Sequence, residues 1–225
     1  MGLFAGIPRE YDFFLALFTF LMDHVWRRAV ASEADETWPI LDVATGTGLM
    51  LSKFARLDAK VFVVGVDISI PMLRQAKAIL QRSRYKDRVN LVLARAEHLP
   101  IRNASVGTST ITLALRNLSN PQDAFREMCR VLMRRGKVVC LDFTRPPDRL
   151  FRSVYYFYIF RVLPLLGGLV SRAWRDIFEY LSESIDRARP PDEVARMMEL
   201  AGLTAIRYTY MSRGIVGLVC SVKLL

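Results

Sequence analysis

The sequence predicts an α/β fold of the doubly wound kind: a seven-stranded, mostly parallel sheet with a helical N-terminal segment and a helical insertion before a terminal β-hairpin. Three observations predict it. From Trp38 onward, apolar runs of strand length alternate with runs of helical periodicity, the pattern of βαβ units. The first of these strand runs ends in the glycine-rich turn LDVATGTG, and the last two lie close enough to pair as a hairpin. A length of 225 residues suits one domain with a full core.

Each element has its own signal. Tyr11 to Arg28 reads as a first helical segment; its run FFLALFTFLM is apolar nearly all round, so it is expected to be covered on most sides. The strands are predicted at Ile40 to Ala44, Val61 to Val66, Val89 to Ala94, Ser109 to Leu113, Lys137 to Phe143, Thr204 to Tyr210 and Ile215 to Val222. Met72, Leu73, Ala76, Ile79 and Leu80 repeat at helical spacing behind Pro71, as do Phe125, Met128, Val131 and Leu132 behind Pro121. Both prolines stand where a first helical turn tolerates them. Asp192 to Ala201 forms a further helix behind Pro190 and Pro191, stopped by Gly202 where a left-handed residue is wanted. The single domain thus divides into a helical lid (1–37), a ligand-binding core (38–143), an unusually aromatic insertion (144–189) and a terminal helix with its hairpin (190–225). Lid and insertion are expected above the C-terminal strand edge, where such sheets bind ligands.

Composition narrows the function. Hydrophobic residues at 52%, aromatics at 11% and a mean hydropathy of +0.20 exclude a disordered or low-complexity chain, and predict that some large apolar surface stays exposed. The net charge is +10, and arginine supplies 26 of the 32 cations. Many are interleaved with aromatics between Arg145 and Arg175, which favours a membrane surface over nucleic acid. The longest charge-free apolar stretches, Phe13 to Met22 and Val162 to Ser171, are ten residues each, against roughly 20 for a spanning helix, so no transmembrane helix is expected. No basic leader precedes the first apolar run, and the expected location is the cytoplasm. Cys129, Cys140 and Cys220 have neither CxxC spacing nor histidine partners and read as buried inert thiols, with no metal site.

The chemistry concentrates at the strand ends. In LDVATGTG, which holds Asp42, Ala44, Thr45, Gly46 and Gly48, the glycines bring backbone N–H groups close to a ligand at the start of the next helix. The second strand stops on Asp67, from which a carboxylate accepts both hydroxyls of a ribose. A dinucleotide would ask for a third glycine, which is missing. S-adenosylmethionine fits better, with the glycine turn for its amino-acid end, Asp67 for its ribose, Ala96 and Glu97 near its adenine, Ile68 and Met72 as walls, and Leu113 completing the set.

With these residues in place the chain resembles the ubiquinone/menaquinone biosynthesis C-methyltransferases of the UbiE/MenG type, within the class I S-adenosylmethionine-dependent methyltransferases. The resemblance runs nearly end to end. It rests on Tyr11-Asp12 with Trp26 fifteen residues after Tyr11, on LDVATGTG, GVDISIPML, AEHLP, LRN at Leu115 to Asn117, and REMCRVLMRRGKVVCLDFTRP. VLPLLGGLV, FEYLSESI, PPDEVARMMELAGL and GIVGLV extend it through the C-terminal third. Arg95 departs from the pattern, standing where the family usually has an acidic residue before the alanine of its strand-three motif.

The resemblance implies a Rossmann-like fold, S-adenosylmethionine as methyl donor, no metal, and a prenylated quinol as acceptor. It also implies that Arg116 and Tyr11 serve a water-assisted deprotonation of the acceptor, with Asn117 orienting either one. Arginine is a poor base because its guanidinium stays protonated, but it holds a developing phenolate by charge-assisted hydrogen bonds. Asp142 and Arg145 face the same edge and read first as a turn cap or an ion pair; His24 and His98 read as structural. A prenyl tail needs an apolar groove, for which Tyr155, Phe157, Phe160, Leu163, Leu165 and Leu166, with Phe13, Phe14, Leu17 and Phe18, are candidates. Arg149, Arg152, Arg161, Arg172 and Arg175 would meet anionic headgroups, giving peripheral membrane attachment; a homodimer through the same apolar residues is the competing use. A phospholipid N-methyltransferase, or a non-catalytic subunit keeping the fold, are the alternatives in function.

Overall fold

The computed structural model of the chain describes residues 16–224 apart from 18, 36 and 59, so Tyr11, Phe13, Phe14 and Phe18 lie outside the described residues. Seven strands form one sheet: β1 (Ile40–Val43), β2 (Val63–Asp67), β3 (Val89–Leu93), β4 (Val106–Thr112), β5 (Leu132–Phe143), β6 (Thr204–Met211) and β7 (Val216–Val222). Eight α-helices accompany them among the described residues: α1 (Met22–Ser32), α2 (Leu49–Phe54), α3 (Ile70–Gln81), α4 (Pro121–Val131), α5 (Arg149–Phe157), α6 (Leu163–Val170), α7 (Arg172–Asp186) and α8 (Pro191–Leu200). The strand order is β3-β2-β1-β4-β5-β7-β6, with β1 to β5 parallel and β7 antiparallel to both its neighbours. This is the predicted doubly wound sheet, terminal hairpin included. Because β1 bonds to β2 on one side and to β4 on the other, the winding reverses there, and a crevice opens beyond the carboxyl ends of these strands.

Local chemistry sets the helix starts. The Ser69 hydroxyl accepts the Met72 N–H at the head of α3, Asn120 Oδ1 accepts the Asp123 N–H before α4, and Asp148 Oδ1 accepts the Phe151 N–H before α5. Pro71 and Pro121 take first-turn places, and Gly202 ends α8 at a φ of +88°. The core divides between the two faces of the sheet. One layer centres on Trp26, Phe54, Leu141 and Trp174; the other on Leu41, Ile111, Phe125 and Met128.

Three expectations need correction. A continuous, covered helix over Tyr11 to Arg28 does not form, because Phe20 and Leu21 take positive φ values of 52° and 61°, and the helix restarts at Met22 and runs on to Ser32. Phe20 and Leu21 remain 75% and 61% exposed. β4 begins three residues before the predicted Ser109 and β5 five before Lys137, since Val106 pairs with Leu132 ahead of a register shift at Arg135, whose φ is +63°. The insertion, read as charge-interrupted runs, is instead joined by a π-helical turn (Tyr158–Val162) into one helix of 22 residues, Arg149–Val170. Its mean hydropathy of 1.5 over an 18-residue window makes it long and apolar enough to cross a membrane by length and composition, and only 17% of that window is buried.

Candidate functional site

The glycine turn between β1 and α2 is built by a buried carboxylate. Asp42 is 2% exposed; its Oδ2 accepts the Thr45 hydroxyl at 2.6 Å and its Oδ1 the Thr110 hydroxyl at 2.7 Å. Burial raises its pKa to about 6, against the pull of those two hydroxyls and of Arg27. Asp42 was expected to bind the cofactor directly; with both oxygens held inside the fold, its part is to fix Thr45 and hence the turn. Above it, Ala44, Gly46 and Gly48 all take positive φ, and nothing lies within 4 Å of where a Cβ on Gly46 would stand. That open space beside the turn's backbone is the cradle a ligand's amino-acid end requires. Gly48 has the other glycine role, close packing, with a Cβ there falling 3.2 Å from Ala76 Cβ.

Asp67 ends β2 beside this turn. Its Oδ2 accepts the Gly46 N–H at 2.7 Å and its Oδ1 the Ser69 N–H at 2.8 Å, leaving lone pairs on both oxygens. Burial raises its pKa, opposed by the N–H groups of Ser69, Gly46 and Ile68. It opens onto a cleft of about 380 Å³ lined also by Ala44, Ile68, Ala96, Glu97 and Asn117. Met72 and Leu113 are not on that lining: Met72 is buried in α3, and Leu113, at a φ of +58°, turns the chain out of β4. Glu97 Oε1 accepts the Asn120 N–H at 3.2 Å, and Arg95 spans the cleft mouth from Glu97 (3.4 Å) to the Ser119 hydroxyl (3.5 Å).

Arg116 follows β4 in a 3₁₀ turn, Leu115–Asn117, and is locked in place. Its Nη1 donates to Asp142 Oδ1 at 2.5 Å and to the Leu113 carbonyl at 2.7 Å, its Nε to the Ser184 hydroxyl at 3.1 Å, and its backbone N–H to Asp142 Oδ2 at 2.9 Å. The guanidinium lies 4.8 Å from the centre of the Phe143 ring, and both ion-pair side chains are over 90% buried. Its Nη2 has no hydrogen-bond partner among the described residues. Asp142 therefore does more than cap a turn: it orients Arg116. Tyr155, read in the sequence only as a groove wall, is buried beside this pair; burial pushes its phenol pKa up, against the pull of Arg116. Asn117 is not bonded to Arg116; its Oδ1 accepts the Tyr180 hydroxyl of α7 at 3.0 Å, tying the insertion to the cleft.

Several buried polar groups escaped sequence reasoning. The Thr112 hydroxyl, at the end of β4, is buried without a hydrogen-bond partner, and so is Arg27 Nε in α1. Ser184 and Tyr180 enter only because α7 folds back over the sheet. Orphaned buried donors leave no local trace in a sequence, although FEYLSESI did mark the segment. Cys140 and Cys220 are buried with raised pKa values, burial being the first cause in each, as expected of inert thiols; His24 and His98 are exposed. Taken together, an open glycine turn, a buried strand-two carboxylate and the cleft it opens onto fit a nucleoside carrying an amino acid.

Comparison with known proteins agrees with this geometry. A sequence model of the ubiE/COQ5 methyltransferase family matches residues 1–223. The ubiquinone/menaquinone biosynthesis C-methyltransferase UbiE of Shewanella pealeana is 34% identical over 220 residues, covering 96% of this chain and 87% of that protein. The protein of the same name from Shewanella oneidensis is 36% identical with the same coverage. Among solved structures, a SAM-dependent methyltransferase from Thermotoga maritima superposes with a TM-score of 0.68 at 18% identity, covering 98% of each chain, which speaks for the fold alone.

Proposed function

This chain belongs to the ubiE/COQ5 methyltransferase family, and from that membership we propose that it is an S-adenosylmethionine-dependent C-methyltransferase of a prenylated quinol in menaquinone or ubiquinone biosynthesis. The observation that carries the reading is the match over residues 1–223, which takes in the acceptor side of the chain as well as the glycine turn. When bound, S-adenosylmethionine supplies an electrophilic methyl group. Asp67 accepts its ribose hydroxyls, the Ala44 to Gly48 turn takes its amino-acid end, and Ala96, Glu97 and Ile68 enclose its adenine.

A ring carbon becomes nucleophilic when an adjacent hydroxyl ionises, and phenols titrate near 10, so the site must favour the phenolate. Arg116 meets that need. Asp142, Leu113 and Ser184 hold its guanidinium rigid at the strand edge and leave Nη2 for the acceptor oxygen, a preorganised charge that requires no reorganisation during transfer. Tyr11 is assigned to the accompanying proton transfer on the family resemblance. Tyr180, held by Asn117, closes the insertion over the two halves of the site.

The acceptor's tail assigns a second partner, the cytoplasmic face of a membrane. Leu150, Val154, Phe157, Leu165 and Leu169 are exposed along Arg149–Val170, whereas Tyr155, Ile159 and Leu163 turn into the core. Exposed Arg149, Arg161, Arg172 and Arg175 accompany that ridge. A helix apolar on one side and basic beside it lies in the plane of an anionic bilayer.

Transfer of labelled methyl to demethylmenaquinol and to a demethylated ubiquinol precursor, each reduced and oxidised in mixed phosphatidylglycerol and phosphatidylethanolamine vesicles, tests the whole reading. Label is expected in the reduced quinols alone, with sedimentation on vesicles that weakens as salt rises. Label in phosphatidylethanolamine instead would overturn the acceptor, and a soluble dimer indifferent to vesicles would overturn the membrane assignment.

A further inference from the structure

Arg27 is a buried cation without an adequate partner. It lies on α1, which packs against α2, the helix that follows the glycine turn. Its side chain is 10% exposed and its Nε is buried with no hydrogen-bond partner. The only ion pair it makes among the described residues is with Asp23, one helical turn earlier, at 3.7 Å. That separation is too long for a hydrogen bond, so the guanidinium keeps its donors. A buried charge is retained when something hydrogen-bonds it, and here that something is not a side chain among the described residues.

The surroundings say which ligand would supply it. Arg27 is close enough to the buried Asp42 carboxylate, beneath the glycine turn, to lower its pKa. Lys53 of α2 has its pKa lowered by burial first and then by Arg27 and Arg28. Cations therefore gather where α1 packs on α2, the helix that leaves the glycine turn, and that turn carries the open space at Gly46. Resting on the donor assignment above, we propose that Arg27 is the carboxylate-binding residue for the methionine end of S-adenosylmethionine. Its guanidinium takes the carboxylate while the Ala44 to Gly48 backbone takes the rest of the amino-acid moiety. A planar fork with five N–H donors suits a carboxylate, and Asp23 then serves to hold the arginine side chain in line.

The role is separable from mere stability by ligand choice. Isothermal titration of S-adenosylhomocysteine, which carries the carboxylate, and of 5′-methylthioadenosine, which lacks it, is to be compared for the unsubstituted protein and Arg27→Met. The substitution is expected to weaken S-adenosylhomocysteine by about 10- to 100-fold and to leave methylthioadenosine within about twofold. Equal losses for both ligands, or no loss for either, would overturn the assignment. If Arg27→Met fails to fold, Arg27→Lys and the unsubstituted protein are titrated with S-adenosylmethionine and its decarboxylated form. A marked preference for the carboxylated ligand in the unsubstituted protein, reduced in Arg27→Lys, is the expected result, and no preference would overturn the assignment. An unsubstituted protein that binds none of these nucleosides would instead overturn the donor reading beneath it.

Discussion

Replacing Asp142 by asparagine tests the reasoning about Arg116 most directly. Asp142 Oδ1 accepts Arg116 Nη1–H at 2.5 Å and the Phe143 N–H at 2.7 Å, while Oδ2 accepts the Arg116 backbone N–H at 2.9 Å. Asparagine keeps the shape but turns one acceptor into a donor and removes the counter-charge of a guanidinium that is 4% exposed. Breaking a buried pair from one side destabilises by about 3–5 kcal/mol. In a chain of this length that lowers Tm by about 10 °C. Arg116→Met leaves a buried carboxylate and should cost a similar amount. The double variant leaves no orphan charge, so its loss should fall short of the sum by about 1–3 kcal/mol in urea unfolding. Turnover should collapse in all three variants while affinity for S-adenosylhomocysteine holds within about threefold, because Arg116 faces the acceptor and not the donor. Additive single losses would show that the two side chains are not coupled; equal loss of turnover and donor affinity would refute the acceptor role.

Asp42 predicts a pH effect. Its pKa is raised from 3.8 to about 6 by burial, so between pH 4 and 6 the unfolded chain releases this proton before the folded one, and stability falls as pH rises through that window. The decline is about 3 kcal/mol, and Asp42→Asn should abolish it when urea unfolding at pH 4 and pH 7 is compared; an unchanged pH dependence would contradict the assignment. Asp67→Asn should weaken S-adenosylhomocysteine by about 10-fold or more and lower Tm modestly, since one of the Gly46 and Ser69 N–H groups loses its acceptor; retained affinity in calorimetry would argue against it. Gly167→Val should destabilise by about 2 kcal/mol or more, because even a Cβ there would stand 2.5 Å from Phe178 and 2.9 Å from the Trp174 carbonyl, where α6 meets α7; an unaltered Tm would refute that close approach. Tyr180→Phe should raise KM for donor or acceptor severalfold at constant Tm, and no kinetic change would mean that its bond to Asn117 closes nothing.

The strands were legible because they are short apolar runs between turn residues, a property of near neighbours. The same holds for α3, α4 and α8, whose buried residues repeat every three or four positions behind prolines that suit a first turn. Gly46 and Asp67 were legible for a related reason: each lies at the end of a strand, where topology sends it to the crevice whatever surrounds it. Helix breaks at Phe20 and Leu21, and the early start of β5, were not legible, because positive φ at a non-glycine residue is imposed by packing and not by propensity.

The sequence by itself determined the alternating fold, the glycine turn, the carboxylate beside it and, through its motifs, the family. Only the tertiary structure decided what those groups do to one another. Asp142 reaches Arg116 across 26 residues, Ser184 reaches it across 68, and Tyr180 reaches Asn117 across 63. Such separations are set by strand order and by the way α7 returns over the sheet, neither of which any local periodicity encodes. Arg27 is the sharpest instance. In sequence it is one of 26 arginines, and it stands out only because α1, packed on α2, buries its Nε with no hydrogen-bond partner among the described residues.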